Sequence, residues 1–198
     1  MADGIEVPDG YSFIREISSG GFGSVVELME NSTQKHYAGK MMQCVTAKDK
    51  ERIDREVNRL RKFAHPGIVG LKELASMGNT KVILMELGGQ SLAEIVLDHT
   101  SRGVLVAREV VYRVMVDVSS ALNLMHNHES GATAHGDVKM ENILLFAGGH
   151  FKLCLSFSPV SSSPFSTFCI WRSLHFCVLF FDNFFPPYSF FHSFFHNL

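Results

Sequence analysis

Three polar side chains that could do chemistry lie close together in AHGDVKMENILL, residues 134–145. Asp137, Lys139 and Asn142 fall within one short stretch, and an apolar run follows them. An aspartate can accept a proton from a hydroxyl group, a lysine can neutralise an anion, and an asparagine oxygen can bind a hard metal ion. The segment is therefore either a catalytic loop or an ordinary polar turn before a buried strand.

A glycine-rich stretch near the start of the chain offers a second chemical possibility. SSGGFGSV, residues 18–25, matches the pattern G-x-G-x-x-G-x-V except that Ser18 stands at the first glycine. In a dinucleotide-binding fold such glycines lead into a helix. Here they lead into the strand-like VVELME, which favours a β-hairpin whose backbone amides lie over phosphates. From this motif alone, a plain mobile hairpin remains the alternative.

Lys40 lies in YAGKMM, among otherwise apolar or small residues. An ammonium group is costly to bury unless an anion meets it, and Glu56, on the helix predicted next, could supply that charge. A lysine and glutamate pair of this kind is usually a structural salt bridge. It acquires a functional meaning only from the motifs around it.

The elements that position these residues can be predicted from hydrophobic periodicity. Strand-like runs rich in β-branched and aromatic residues occupy 11–17, 24–30, 35–45, 70–76 and 81–87. From Asp49 to Phe63, apolar residues recur at helical spacing, with charged residues on the other faces. A second helix opens with a capping box of Ser91 and Glu94, and a third runs over about 108–126. This order predicts an α+β fold.

Composition excludes some classes of function. The net charge of the 198 residues is −2, so no basic field indicates nucleic acid or an anionic membrane surface. The four cysteines include no C-x-x-C pair and no metal-ligand spacing, and the chain begins with a polar, acidic stretch rather than an apolar leader. We therefore expect a reduced, intracellular protein of the cytoplasm, with the nucleus not excluded, that binds no nucleic acid.

The order of five motifs resembles a eukaryotic-type protein kinase domain. ISSGGFGSV, AGK, EVNRLRKFAHPGIVGL, VILMELGGQSL and HGDVKMENILL follow one another at the intervals of that family, over about residues 11–154. The resemblance implies a bilobal kinase-like fold. An N-terminal extension (1–10) would precede an upper antiparallel β lobe with one helix (11–87), and the first part of a helical lower lobe (88–154) would follow.

The resemblance implies a nucleotide site and MgATP as the phosphate donor. Lys40 would hold the α- and β-phosphates and be positioned by Glu56, while Met85 would be the gatekeeper before a hinge whose backbone binds adenine. The residues implied in ATP binding are Ile17, Ser18, Gly20, Gly21, Phe22, Gly23, Ser24, Val25, Ala38, Lys40, Glu56, Met85, Glu86, Leu87, Gly88 and Leu144. Of these, the apolar Ile17, Val25, Ala38 and Leu144 would pack on the adenine.

The same resemblance assigns roles in the 134–145 segment. Asp137 would orient the substrate hydroxyl and accept its proton, Lys139 would steady the transferred phosphate, and Asn142 would bind Mg²⁺. Lys139, two positions after Asp137, resembles the serine/threonine-specific branch, so the implied partner is a protein substrate. These roles favour the catalytic-loop interpretation over the polar turn.

Three departures from the family pattern, one consequential and two milder, precede the D-F-G position. Gly136 stands where arginine is common, which predicts that activity does not depend on a phosphate in the activation loop. Ser18 can still occupy an extended strand end, and Met140 replaces the usual proline of the loop at little cost.

One departure is severe. Residues 151–154, FKLC, fit the strand that precedes the D-F-G motif, but Leu155, Ser156 and Phe157 occupy the three motif positions. The aspartate of D-F-G holds Mg²⁺ between the β- and γ-phosphates, and leucine has no oxygen to do so. No A-P-E motif follows.

Residues 155–198 differ in composition from the rest. They contain 12 of the 17 phenylalanines and four of the six prolines, but only Arg172 and Asp182 among Asp, Glu, Lys and Arg. The apolar run around Asp182 is too short and interrupted for a membrane anchor, and a native regulatory tail with so many uncompensated aromatics would favour aggregation. Phe, Ser, Leu and Pro, residues of pyrimidine-rich codons, fill 29 of these 44 positions. We expect translated intron sequence here.

Two functions follow as expectations. The first is an ATP-dependent serine/threonine protein kinase domain of which this chain is a truncated, inactive form. The alternative is a non-catalytic, pseudokinase-like module that binds a nucleotide or a partner.

Overall fold

The computed structural model describes residues 5–20 and 23–155. The prediction for the segment 156–198 lies outside the described residues. In chain order the described elements are β1 (Tyr11–Gly20), β2 (Gly23–Glu30), β3 (His36–Gln43), α1 (Ala47–Lys62), β4 (Leu71–Met77), β5 (Thr80–Glu86), α2 (Leu92–Ser101), α3 (Arg108–His126), β6 (Ile143–Leu145) and β7 (Phe151–Leu153).

The first five strands form one antiparallel sheet, in the order β1-β2-β3-β5-β4. Alternation in β2 and β5 buries Val26 and Leu28 against Val82 and Leu84, with Tyr11 closing this small core. The α+β prediction is confirmed by this sheet and the three helices.

Helix α1 begins two residues before the predicted start because Thr46 caps it. The Thr46 hydroxyl accepts a hydrogen bond from the Asp49 amide, and the Asp49 carboxylate accepts one from the Thr46 amide. This reciprocal pair is a capping box in which aspartate takes the place of the usual glutamate. The helix buries Ile53, Val57 and Leu60 in the main apolar core, so its predicted amphipathic character is confirmed.

Helices α2 and α3 lie after the sheet. The predicted capping box of α2 is confirmed: Ser91 accepts from the Glu94 amide at 3.2 Å, and Glu94 Oε2 accepts from the Ser91 amide at 2.7 Å. On α3, one face carries the buried Val118, Ala121 and Met125. Among the described residues, no helix combines the length and apolar character needed to cross a bilayer.

Strands β6 and β7 form a separate two-stranded antiparallel ribbon, with a 3-10 turn over Met140–Asn142 before β6. The Val69 amide donates to the Leu153 carbonyl at 3.0 Å, and Asp117 on α3 accepts from the Phe151 amide at 2.8 Å. The ribbon is thereby fastened to α3 and to the segment before β4. This connection places the end of β7 beside α1 and in the main core.

Candidate active site

The glycine-rich hairpin joins β1 and β2. Gly20 pairs with Gly23 at its end, and Ser18 pairs with Val25; the predictions for Gly21 and Phe22 lie outside the described residues. Gly23 has a φ of +119°, and a Cβ there would lie 2.1 Å from the Met41 carbonyl oxygen. Only glycine fits this position, which explains one glycine of the motif by steric contact within the sheet.

The residues expected to surround the adenine lie on adjacent strands. Val25 pairs with Lys40 across β2 and β3, and Ala38 pairs with Met85 across β3 and β5. Met85 is buried, whereas Ile17 on β1 is 40% exposed. Ile17, Val25 and Ala38 are therefore at least partly open to solvent, as a ligand-facing surface requires.

The predicted hinge, Glu86 to Gly88, runs from β5 towards β6. Just after it, the Gly89 amide donates to the Leu145 carbonyl at 2.7 Å, and Ser91 forms an isolated bridge with Leu144. These bonds bring Leu144 to the hinge, opposite the sheet, as the predicted site requires.

The Glu86 side chain bonds to the segment before β4 and to β7. Its Oε2 accepts from the Gly70 amide at 2.8 Å and pairs with Lys152 Nζ at 2.6 Å. Lys152 also lies 4.7 Å from the Phe146 ring centroid. The hinge is thus tied to β7 through the Glu86 carboxylate, and to the segment before β4 also through the Glu86 amide, which donates to the Gly70 carbonyl at 2.9 Å.

Lys40 and Glu56 form a buried ion pair. The Lys40 Nζ lies 2.6 Å from Glu56 Oε1, and the two side chains are 15% and 3% exposed. The pair joins the middle of β3 to the middle of α1, across 16 positions of sequence. A cation fixed by its own buried partner can present its remaining donors to a phosphate.

The polar residues of the 134–145 segment also come together. Asn142 Nδ2 donates to the Asp137 carbonyl at 2.8 Å and to Asp137 Oδ2 at 3.0 Å. Lys139 Nζ lies 3.0 Å from the same Oδ2 and is half exposed. The three side chains therefore form a single cluster, in which the lysine is more exposed than Asp137.

His135 supports this cluster from inside. Its Nδ1 accepts from the Asp137 amide at 3.2 Å, and its Nε2 lies 3.1 Å from the Cys154 carbonyl oxygen, to which it can donate. Burial is the main cause that lowers the pKa of His135 to about 4, and the Arg59 charge acts in the same direction. A neutral imidazole, with one donor and one acceptor nitrogen, fits both partners.

Gly136, between His135 and Asp137, has a φ of +86°. This left-handed backbone is open to glycine without steric cost but is strained for other residues. Glycine at this position therefore relaxes the turn that presents Asp137, besides removing the arginine expected from the family pattern.

At the D-F-G position the side chain packs inward. Leu155 is 3% exposed and belongs to the main apolar core. The preceding Cys154 is fixed by its amide, which donates to the Asn142 carbonyl at 2.8 Å. Burial raises the pKa of the Cys154 thiol to about 11, and its sulfur is within electrostatic range of Lys40 and Glu56. Cys154, directly before residue 155, therefore lies near the ion pair of Lys40 and Glu56 and is bonded to the catalytic-loop segment through Asn142.

The donor set does not fit a complete magnesium site. Of the residues implied as ligands, Asn142 provides an amide oxygen, while Leu155 provides only hydrocarbon. Within the described part of the chain, no group of three or more His, Cys, Asp or Glu side chains could hold a metal ion. No step of a reaction can therefore be derived through a metal held at residue 155.

Sequence reasoning missed Arg59 and His135. Charged residues of α1 were expected on its outer faces, yet Arg59 is half buried and donates to two carbonyl oxygens before Asp137. His135 begins the motif HGDVKMENILL, in which the sequence assigned it no role. The available sequence signal that Arg59 faces inward was its place directly before Leu60, on the apolar face of the predicted helix. That signal is weak.

The chain has clear relatives among known proteins. Residues 11–162 match the protein kinase domain family. The chain is 30% identical over 140 residues to the smooth-muscle myosin light chain kinase of Gallus gallus, covering 70% of this chain and 7% of that protein.

Two further relatives are similar at the same level. A probable serine/threonine-protein kinase of Dictyostelium discoideum is 28% identical over 150 residues, 72% of this chain and 13% of that protein. The carbon catabolite-derepressing protein kinase of Saccharomyces cerevisiae is 28% identical over 148 residues, 73% of this chain and 22% of that protein. The matched stretch is thus a small part of each relative. From the family match and the paired Lys40 and Glu56, we conclude that this chain belongs to the protein kinase domain family.

Proposed function

We propose that this chain carries the nucleotide-binding half of a serine/threonine-type protein kinase domain. The observation that carries the proposal is the buried ion pair of Lys40 and Glu56, which fits the phosphates of ATP. The apolar strand residues beside Lys40 provide a surface for the adenine. We also propose residues 11–87 as the upper lobe and 88–154 as the first part of the lower lobe.

The polar cluster of the catalytic loop supports phosphate transfer to a protein hydroxyl as the reaction of the complete domain. Asp137 would accept the hydroxyl proton, and its carboxylate is oriented by Asn142. Lys139, half exposed beside it, would neutralise the transferred phosphate. The serine/threonine specificity rests on Lys139 and on the similarity to a probable serine/threonine-protein kinase of Dictyostelium discoideum.

We infer that the chain as written transfers phosphate at a negligible rate. Magnesium neutralises charge that develops between the β- and γ-phosphates, and Leu155 cannot bind it. The composition of residues 155–198 supports the hypothesis that this segment is translated intron sequence rather than kinase sequence. Sequencing the mature transcript across the codons for 151–159 tests this: a spliced form encoding D-F-G after Cys154 supports the hypothesis, and transcripts that all encode LSFSPV contradict it.

The alternative function is a non-catalytic module that holds a nucleotide. The inward packing of Leu155 favours it, because a core residue at this position stabilises the fold without any metal. Both functions share the same phosphate site at Lys40, so the presence of phosphate transfer separates them.

The test combines binding and turnover on residues 1–198. Calorimetry should show that ATP binds more tightly than adenosine, and that Lys40→Met removes this difference while Lys48→Met, an exposed lysine on α1, retains it. A phosphate-transfer assay with a generic protein substrate should give no signal above that of Asp137→Asn. Equal affinities for ATP and adenosine would refute the phosphate site, and Mg²⁺-dependent turnover lost in Asp137→Asn would refute the inactivity.

A further inference from the structure

Helix α1 contacts both chemical clusters from a single face. Glu56 meets Lys40 on β3, and Arg59, less than one turn later, reaches the segment that leads to Asp137. Positions three apart on a helix lie on the same side, so one rigid element touches both the phosphate-binding lysine and the catalytic loop.

The contacts of Arg59 are short and directed at backbone. Its Nη2 donates to the Ala134 carbonyl at 2.6 Å and to the His135 carbonyl at 2.8 Å. Hydrogen bonds from a charged donor are stronger than neutral ones, and two from one nitrogen fix the direction of two successive peptide units.

Arg59 is held in a costly environment. Burial lowers the pKa of its guanidinium, and its Nε is buried without a hydrogen-bond partner among the described residues. A basic side chain of this kind loses hydration that the two carbonyl contacts only partly replace. Its long stem could place the guanidinium in solvent instead, so the inward position requires specific contacts with the loop.

Besides Arg59, the loop is restrained by His135 and Asn142, which both bond to Asp137. Gly136, directly after the second carbonyl, has a positive φ and no side chain, so it contributes flexibility where Asp137 needs a defined direction. Lys62, three positions after Arg59 on α1, donates to the Gly131 carbonyl and to Thr133 Oγ1, each at 3.2 Å. The basic end of α1 therefore lies along the whole approach to the catalytic loop.

We propose that Arg59 is a positioning residue that locks the catalytic loop to α1, so that the loop bearing Asp137 and the ion pair of Lys40 move as one unit. Its importance for phosphate transfer rests on the proposed function, but the lock itself does not. A displacement of α1 would break the ion pair and release residues 134–137 together.

The experiment is amide hydrogen exchange on residues 1–198, without nucleotide. Arg59→Met keeps the apolar stem and removes the donors, Arg59→Lys keeps a charged donor, and Arg61→Met is the control because Arg61 is exposed on the same helix. We expect Arg59→Met to raise exchange about tenfold or more over residues 134–142, relative to Arg61→Met, since charge-assisted hydrogen bonds hold this segment closed. The amides of Ile53–Leu60 should change by less than about twofold, and Arg59→Lys should restore part of the protection.

Three results would overturn the proposal. These are equal loop exchange in Arg59→Met and Arg61→Met, a parallel rise in the loop and in α1, or no recovery in Arg59→Lys. A parallel rise would mean that Arg59 only stabilises the helix. If Arg59→Met does not fold, Arg59→Lys decides: a rise confined to 134–142 supports the lock, and no rise or a general one refutes it.

The outcome is separable from that of the proposed function. Exchange is measured in the absence of ATP, so the lock can be present even if calorimetry finds no phosphate site. Conversely, tight ATP binding with an unchanged loop in Arg59→Met would support the phosphate site and refute the lock.

Discussion

The two halves of the candidate site differ in completeness. On the nucleotide side, Lys40 and Glu56 form a buried pair at 2.6 Å between β3 and α1. On the proposed metal side, Asn142 lies beside Asp137, but Leu155 packs in the apolar core. Each charge of the buried ion pair is stabilised by the other, so Lys40 and Glu56 are retained together. Leu155 needs no charged partner, because apolar packing in the core stabilises it.

The comparison predicts its largest effect at the ion pair. Lys40→Met should lower the free energy of unfolding by roughly 3–5 kcal/mol, because it leaves the Glu56 carboxylate buried and unpaired. Urea unfolding followed by circular dichroism measures this, with Lys48→Met as the exposed control. A cost equal to that of the control would mean that the pair contributes nothing to the fold.

Next in size is the packing of Leu155. Leu155→Ala should cost roughly 2–5 kcal/mol in the same unfolding experiment, through lost burial and the cavity that remains. Ile17→Ala, at a position 40% exposed, is the matched control and should cost much less. If Leu155→Ala is as mild as the control, residue 155 is not a core residue and the contrast between the two halves fails.

A pH effect tests the buried support of the catalytic loop. The pKa of His135 is lowered to about 4 in the folded protein, below the 6.5 of an unperturbed histidine, so the unfolded chain binds a proton first on acidification. The stability from neutral His135 is complete above about pH 6.5 and is lost as the pH falls towards 4, which amounts to about 2–3 kcal/mol between pH 7 and pH 4.5. His135→Gln should lose this part of the pH dependence; an unchanged pH profile in the variant would contradict the buried neutral imidazole.

The smallest effect is expected at Gly136. Gly136→Ala should destabilise by about 1 kcal/mol, because alanine is strained at a positive φ. Gly103→Ala, another positive-φ glycine in a loop but remote from the site, measures the backbone cost alone. An additional rise in amide exchange at Asp137, absent in Gly103→Ala, would show that the turn matters for the loop as well as for stability.

Much of this site could be predicted from sequence, because its residues lie in short motifs with fixed spacing. Lys40, Glu56 and the cluster around Asp137 needed only the motif order to be assigned, and the structure places the members of each group together. The severe departure at Leu155 could be predicted because FKLC, residues 151–154, fits the strand that precedes the D-F-G motif.

What sequence could not predict depends on contacts between distant segments. The inward position of Arg59 requires residues 134 and 135 to approach α1, 75 and 76 positions away, and helical periodicity cannot report that approach. The pairing of Glu86 with Lys152 likewise joins positions 66 apart. Thr46 was not predicted as a cap because the usual capping box has glutamate or glutamine, rather than the shorter aspartate, at the third helical position.

The central claim, an intact nucleotide side beside an incomplete metal side, is tested most directly by the magnesium dependence of ATP binding. Calorimetry on residues 1–198 would compare ATP in the presence of Mg²⁺ and in the presence of a chelator, with Lys40→Met as the reference for lost phosphate contacts. The account predicts ATP binding that requires Lys40 and changes little with Mg²⁺. Binding that is independent of Lys40, or that appears only with Mg²⁺, would contradict it.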